Sequence, residues 1–278
     1  MAAGMNNIKA RIKSVKSTMQ ITGAMELVAT SKLRRAKERV ESTRPFYITL
    51  GEAIDDVIST AEELGSEYTL GREVNRTLYV VIAGDRGLAG GYNSNIFKLE
   101  RRLRAEGAGE VLPIGKKACE HYKDERSQLG KNIRCVSDVG VGDALSLGEE
   151  ITEGYLRGDF DRVILVYTRF VSMMTQTAVY EQLLPLEREC RECGSGLEFD
   201  IDPEEMLARV VPKYVGGVLY SAVCEASASE QGARRTAMNA ANKNAREMID
   251  DLMLRYNRAR QAIITQEITE IVSGAEAL

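Results

Sequence analysis

Residues 80–95 read VVIAGDRGLAGGYNSN: a β-branched apolar run, a turn carrying Gly84, Gly87, Gly90 and Gly91, then polar residues suited to a helix start. Between a strand and a helix, such a turn lets backbone N–H groups cradle a phosphate. These glycines match neither GxGxxG nor GxxxxGK(S/T), and no lysine follows at the Walker position. Asp85 places a negative side chain in the loop, where it would repel a phosphate unless Arg86 neutralised it. Asn93 or Ser94 suits the N-cap of the following helix. The residue types therefore favour a structural turn over a phosphate site.

The other residues capable of chemistry are few. Cys190 and Cys193 form the one recognisable pair among five cysteines, in CREC. Two thiolates do not complete a tetrahedral zinc site, and neither a second CxxC nor a histidine pair is present. A redox-active dithiol is the functional reading and reduced surface thiols the plainer one. His121 is the single histidine, which excludes HExxH zinc sites; in KKACEHYKDE it reads as a solvated residue of a surface helix. Carboxylates are spread through helical stretches and none is paired with a nucleophile. No catalytic residue, cofactor site or metal site is expected.

The elements that must carry these residues fall into three parts. Between about Arg76 and Pro185, short β-branched runs (TLYVVIA, EVLPI, NIRCV, RVILVYTRF, AVYEQLLPL) alternate with helical stretches 96–105, 116–125 and 144–156. That order predicts βαβ crossovers and a mostly parallel sheet, with the last two runs as a hairpin. Before it, Ile8, Ile12, Val15, Met19, Thr22, Ala29, Leu33, Ala36 and Val40 step by threes and fours, a coiled-coil stripe interrupted by Thr22 and Glu26 and widened by Ile21, Met25, Leu27 and Val28. A helix over 6–43 would span roughly 57 Å, with Pro45 as its break.

After the central region, residues 212–272 read as one long helix. Pro212 is expected in its first turn, Ile249, Leu252, Tyr256, Ala259 and Ile263 form its seam, and bends are expected at Gly216, Gly217 and Gly232. The two terminal helices are expected to pair as an antiparallel rod, the alternative being a bundle folded onto the middle domain. The expected boundaries are 1–75 for the N-terminal helix and the helical segment after it, 76–190 for the α/β domain, 191–211 for a linker and 212–278 for the C-terminal helix.

Composition agrees with a folded, soluble chain: 44% hydrophobic, 28% charged, mean hydropathy −0.23 and net charge −4. No apolar run of about 18 residues and no secretory signal pattern is seen, so any membrane association is expected to be peripheral. Scattered cysteines point to a reducing compartment. Residues 1–44 are strongly basic, and SKLRRAKER suggests nucleic acid, but aromatic interleaving is missing and an acidic protein partner explains the charge as well.

Three long stretches resemble the γ subunits of F-type ATP synthases: IKARIKSVKSTMQITGAMELVATSKLRRAKER, DRGLAGGYNSN and NRARQAIITQEITEIVSGAEAL. The match spans the whole chain and is of the bacterial type. The resemblance implies a long antiparallel coiled coil of the N- and C-terminal helices plus a central Rossmann-like α/β domain. It also implies the role of a central-stalk rotor within a hetero-oligomer of α and β subunits, ε and the membrane c ring. Ion flow (proton or sodium) turns the ring, the shaft turns with it, and catalysis belongs to β. It places the chain peripherally at the cytoplasmic face of the membrane and binds it to neither nucleic acid nor a cofactor.

Position by position, the resemblance implies that Arg260, Gln261 and Thr265 meet a β loop, with Met25 on the opposing helix near that loop. It places Phe199, Asp200 and Asp202 in the foot that approaches ε and the c ring. Within it, Arg86 decides whether the Gly-rich loop is a subunit contact or a structural turn. Cys190 and Cys193 fall about where the chloroplast members carry an inserted regulatory dithiol, but the insert is missing here and the spacing is shorter.

Overall fold

A computed structural model describes residues 2–60, 66–105, 109–125, 127, 129–130, 135–186 and 202–276. The chain divides into two units, Met1–Ala29 with Arg235–Leu278, and Thr30–Arg234. Helices α1 (Ala2–Thr60) and α5 (Pro203–Glu276) contribute to both.

In the first unit, α1 and α5 run antiparallel along the seams that periodicity predicts. Ile8, Ile12, Val15, Met19 and Thr22 are half-buried and Ala29 is buried, against buried Met238, Ala245, Ile249 and Leu252 and half-buried Tyr256, Ala259 and Ile263. Small side chains at Ala29 and Ala245 let the helices approach closely, while Ile21, Leu27 and Val28 lie off the seam in solvent. The two interruptions, Thr22 and Glu26, meet polar partners across the seam. The Thr22 hydroxyl donates to Asn242 Oδ1, and Glu26 accepts from Asn239 Nδ2 (3.1 Å) and Asn242 Nδ2 (3.0 Å). A polar cluster of this kind fixes one register, because a slip would leave its members without partners.

The second unit is built on a sheet of order β2-β1-β3-β4, with β1 (Thr77–Ile82), β2 (Gly109–Ile114), β3 (Arg162–Phe170) and β4 (Gln176–Leu184). β1 is parallel to β2 and β3, and β4 returns antiparallel to β3 as the expected hairpin. Every residue of β1 is buried, as a central strand covered on both faces requires. Side-chain alternation divides the core. Leu78, Val80, Ile82, Leu112, Leu165 and Ile114 face α4 (Val141–Leu156), the first turns of α5 and the last turns of α1, through Ile151, Tyr155, Leu207, Val211, Ile54 and Val57. Tyr79, Val81, Val111, Ile164 and Val166 face α2 (Tyr92–Arg104) and α3 (Lys116–His121), through Tyr92, Ile96, Ala118 and Tyr122.

Three local expectations are corrected. The run NIRCV forms no strand among the described residues; Val136–Asp138 is a 3-10 turn, because the N–H groups of Val136 and Ser137 are taken by the Asp85 carboxylate and not by a neighbouring strand. Neither proline marks a helix end: Pro45 and Pro212 lie inside α1 and α5. A mid-helix proline costs about 3 kcal/mol, offset here by burial of Ile54, Val57 and Ile58 beyond Pro45, and of Leu207, Val211 and Val215 around Pro212. The first-turn position belongs to Pro203, where Asp202 Oδ1 accepts the Glu204 N–H at 3.1 Å.

The glycines of α5 do not break it either. A Cβ on Gly216 would stand 2.7 Å from Leu145 Cα and 2.8 Å from the Ala144 carbonyl, and one on Gly148 would stand 2.6 Å from Gly216 Cα and the Pro212 carbonyl. Glycine is therefore used where α4 and α5 cross backbone to backbone.

Candidate subunit-contact surfaces

The loop 83–91 joins β1 to α2, and the N–H groups of Ala83, Gly84 and Arg86 at its start are taken by the chain itself. Asp85 accepts three N–H groups: from Lys116 at the start of α3 (3.2 Å), from Val136 (2.9 Å) and from Ser137 (3.0 Å). Gly84 N–H donates to Asn93 Oδ1 (2.9 Å), so Asn93 ties the loop together and does not cap α2, and Ser94 donates back to the Gly91 carbonyl (2.9 Å). A cradle for an anion does exist beside this loop, and the anion it holds is Asp85. A phosphate would have to displace a covalently attached carboxylate.

On its other side, the loop rests on α5. Glu230 and Arg234, one turn apart, are buried at 5% and 7% exposure. Arg234 Nη2 lies 2.5 Å from Glu230 Oε1 and 3.2 Å from the Gly87 carbonyl, and the Arg86 N–H donates to Glu230 Oε1 at 3.3 Å. Tyr92 adds a hydroxyl bond to the Ala226 carbonyl at 3.0 Å, and burial holds that phenol well above its ordinary pKa. A Cβ on Gly84 would meet the Glu230 carboxyl at 2.9 Å, so glycine is required for this approach.

The tip of the fastened loop points outward. The Arg86 side chain is exposed, and Leu88, 64% exposed, sits at φ +62°, a conformation that costs an L-residue roughly 1–2 kcal/mol. A large apolar side chain held in solvent on a strained backbone gains nothing from its own domain.

In the first unit, Arg260, Gln261 and Thr265 are exposed and Met25 is half-buried. The structure does not bring Met25 to the other three. The cluster of Thr22, Glu26, Asn239 and Asn242 fixes Met25 beside the Asn239–Asn242 turn. Arg260 is eighteen residues beyond Asn242 on the same helix, roughly 27 Å along the axis. Continued at that register, Arg260 falls opposite the first turn of α1. Past Ile263, the side chains of Ile264, Ile268, Ile271 and Val272 are exposed.

Sequence reasoning missed Glu230 and Arg234. The signal that marks them is the run of small residues around them, ASASEQGA, which lets two surfaces close on that part of α5. Of the remaining expectations, Cys190, Cys193, Phe199 and Asp200 lie outside the described residues, and Asp202 is the cap of α5. His121 stacks on Phe97 with ring centroids 4.1 Å apart. No group of metal-binding side chains is found among the described residues, and no helix among them is long and apolar enough to cross a membrane.

Comparison with known proteins adds the identity of the family. The family model described as ATP synthase matches residues 4–278. The ATP synthase gamma chain of Ruminococcus albus is 46% identical over 98% of both chains, and the sodium-ion-specific ATP synthase gamma chain of Acetobacterium woodii is 40% identical over 100% of both. Among solved structures, a chain of the Euglena gracilis mitochondrial ATP synthase OSCP/F1/c-ring assembly shares the fold with a TM-score of 0.69 at 17% identity, covering 100% of this chain and 95% of that one. A chain of the Tetrahymena thermophila central stalk and c ring does so at 0.63 and 24% identity, covering 80% and 99%. With a family model and close relatives matched along its whole length, the chain belongs to the ATP synthase gamma chain family.

Proposed function

We propose that this subunit carries torque and no catalysis of its own: rotation of a membrane c ring turns it, and its contacts drive the surrounding β subunits through different nucleotide affinities. The observation that carries this reading is the stretch of α5 from Arg260 onward, which displays Arg260, Gln261, Thr265 and four large aliphatic side chains, Ile264, Ile268, Ile271 and Val272, in solvent. Exposed apolar side chains in such number suit a surface buried in an assembly. Arg260 offers charge-assisted, bidentate bonds to a β carboxylate. The basic face of α1 suits acidic β loops better than nucleic acid.

The loop tip with Arg86 and Leu88 is a second contact, directed at a neighbouring subunit that presents a carboxylate beside an apolar hollow. Its support is an exposed pair on a rigid base, which a purely structural turn does not require. The ε subunit and the c ring engage the α/β unit near residues 199–203, and the complex holds the chain peripherally at the cytoplasmic face of the membrane.

In membranes carrying the assembled complex, Arg260→Ala should lower ATP-driven ion transport or assembly while the purified variant keeps its helix content. Unchanged ATP synthesis and assembly would remove Arg260 from the contact. The purified subunit should hydrolyse no ATP and should co-purify with α and β; a chain that is stable and monomeric in cells without them would overturn the reading.

A further inference from the structure

We propose that Glu230 and Arg234 are positioning residues for the Arg86–Leu88 tip, fastening the loop to α5 so that load on the tip passes directly into that helix. The proposal rests on the reading of the tip as a subunit contact. Arg234 Nη2 reaches both Glu230 (2.5 Å) and the Gly87 carbonyl (3.2 Å), and Glu230 also receives the Arg86 N–H (3.3 Å). The two residues that flank the tip's first peptide are thus each held by one member of the pair. Asp85 pins the preceding residue from the opposite side through the N–H groups of Lys116, Val136 and Ser137.

Stability alone does not account for this arrangement. A buried ion pair is worth little net, since desolvation of both charges offsets their attraction, and apolar residues of similar volume are often as stable or more so. What apolar side chains do not supply is direction: they let a loop slide, whereas hydrogen bonds to the Arg86 N–H and the Gly87 carbonyl fix it in the plane of the contact. Both bonds leave one nitrogen, Arg234 Nη2, whose two N–H groups are fixed in the guanidinium plane, whereas a lysine ammonium turns freely about its stem.

The test uses the complete complex in sealed vesicles, measuring ATP hydrolysed and ions moved in the same preparation. Glu230→Leu combined with Arg234→Met removes both charges together, so no unpaired charge is left buried and the fold survives. The expected result is continued hydrolysis with ions moved per ATP lowered about fivefold, the scale of coupling between sites. In that background Arg86→Ala should add little further loss, although alone in the native chain it lowers the same ratio. If the double variant transports as well as the native complex while Arg86→Ala is impaired, the positioning role is wrong. If Arg86→Ala alone has no effect, the contact reading beneath it is wrong. Should the double variant fail to assemble, Arg234→Lys decides the matter: it keeps the buried charge pair but replaces the fixed Nη2 N–H aimed at Gly87 with a freely turning ammonium on a shorter stem, and a native transport ratio for it would overturn the proposal.

Discussion

Removing the Asp85 side chain should release the Gly-rich loop in a way that an added anion repairs. Three backbone N–H groups converge on this carboxylate at 2.9–3.2 Å. A hydrogen bond to a charged group contributes about 1.5–3 kcal/mol, and an abandoned buried donor costs about 1–3 kcal/mol. Lys116 and Ser137 are exposed and regain water in Asp85→Ala, whereas Val136, 4% exposed, does not. The loss should therefore be about 2–4 kcal/mol rather than the full sum of three charged bonds. Read by amide hydrogen exchange, that corresponds to a roughly 30- to 1000-fold faster opening at Val136 and Ser137. The vacated cradle keeps its donors, so formate or phosphate at high concentration should slow the exchange again. Asp85→Asn should not behave like the native residue, because its NH2 group would face N–H donors. Unaltered exchange in Asp85→Ala, or exchange indifferent to formate and phosphate, would refute the assignment of Asp85 as the resident anion.

Gly148→Ala should be more damaging than an ordinary surface change. Its methyl would enter the Gly216 and Pro212 backbone at 2.6 Å, and overpacking against groups that cannot rotate away costs about 1–3 kcal/mol or more, readable as a lower urea midpoint. Asn242→Leu strips Thr22 and Glu26 of a partner in the helix seam and should cost about 1 kcal/mol in thermal unfolding despite adding apolar surface. Burial raises the Glu225 carboxyl above its ordinary value, so the folded state favours the protonated acid. Its contribution is complete below about pH 4.5 and is lost as pH rises through the elevated folded value. Glu225→Gln should therefore flatten the decline of stability on that upward limb; an unchanged pH profile would show that Arg44 and Arg169 nearby already compensate the charge.

What could be read from the sequence was whatever has a local period. The seams of α1 and α5 were legible because three- and four-residue steps are the helix's own geometry, and β1, β3 and β4 because β-branched runs bounded by turns have few other uses. The run at 132–136 has the composition of a strand, yet the described residue Val136 and its neighbour Ser137 are held by Asp85, some fifty residues earlier, which no local window contains. Pro45 and Pro212 carry a true local cost and were read as ends for that reason; the packing of Ile54, Val57, Leu207 and Val211 outweighs it. The rule itself held at Pro203, where Asp202 accepts the Glu204 N–H at the start of α5.

The candidate contacts divide along the same line. Arg260, Gln261 and Thr265 follow from the resemblance of the C-terminal stretch and from no local period, and the structure leaves them exposed. The place of Met25 along the rod was not legible, because register belongs to the pair of helices and to neither one alone: it is set by Thr22 and Glu26, which looked like flaws in the stripe. Nothing in their i, i+4 spacing sets Glu230 and Arg234 apart from any surface pair on a helix, and only the approach of Gly84 and Gly87 turns them into a fastening. In both units, then, polar residues set within an apolar surface hold one helix, or one loop, in a single position. A part that must pass load between subunits needs that more than it needs additional stability, because apolar packing resists separation but yields to sliding.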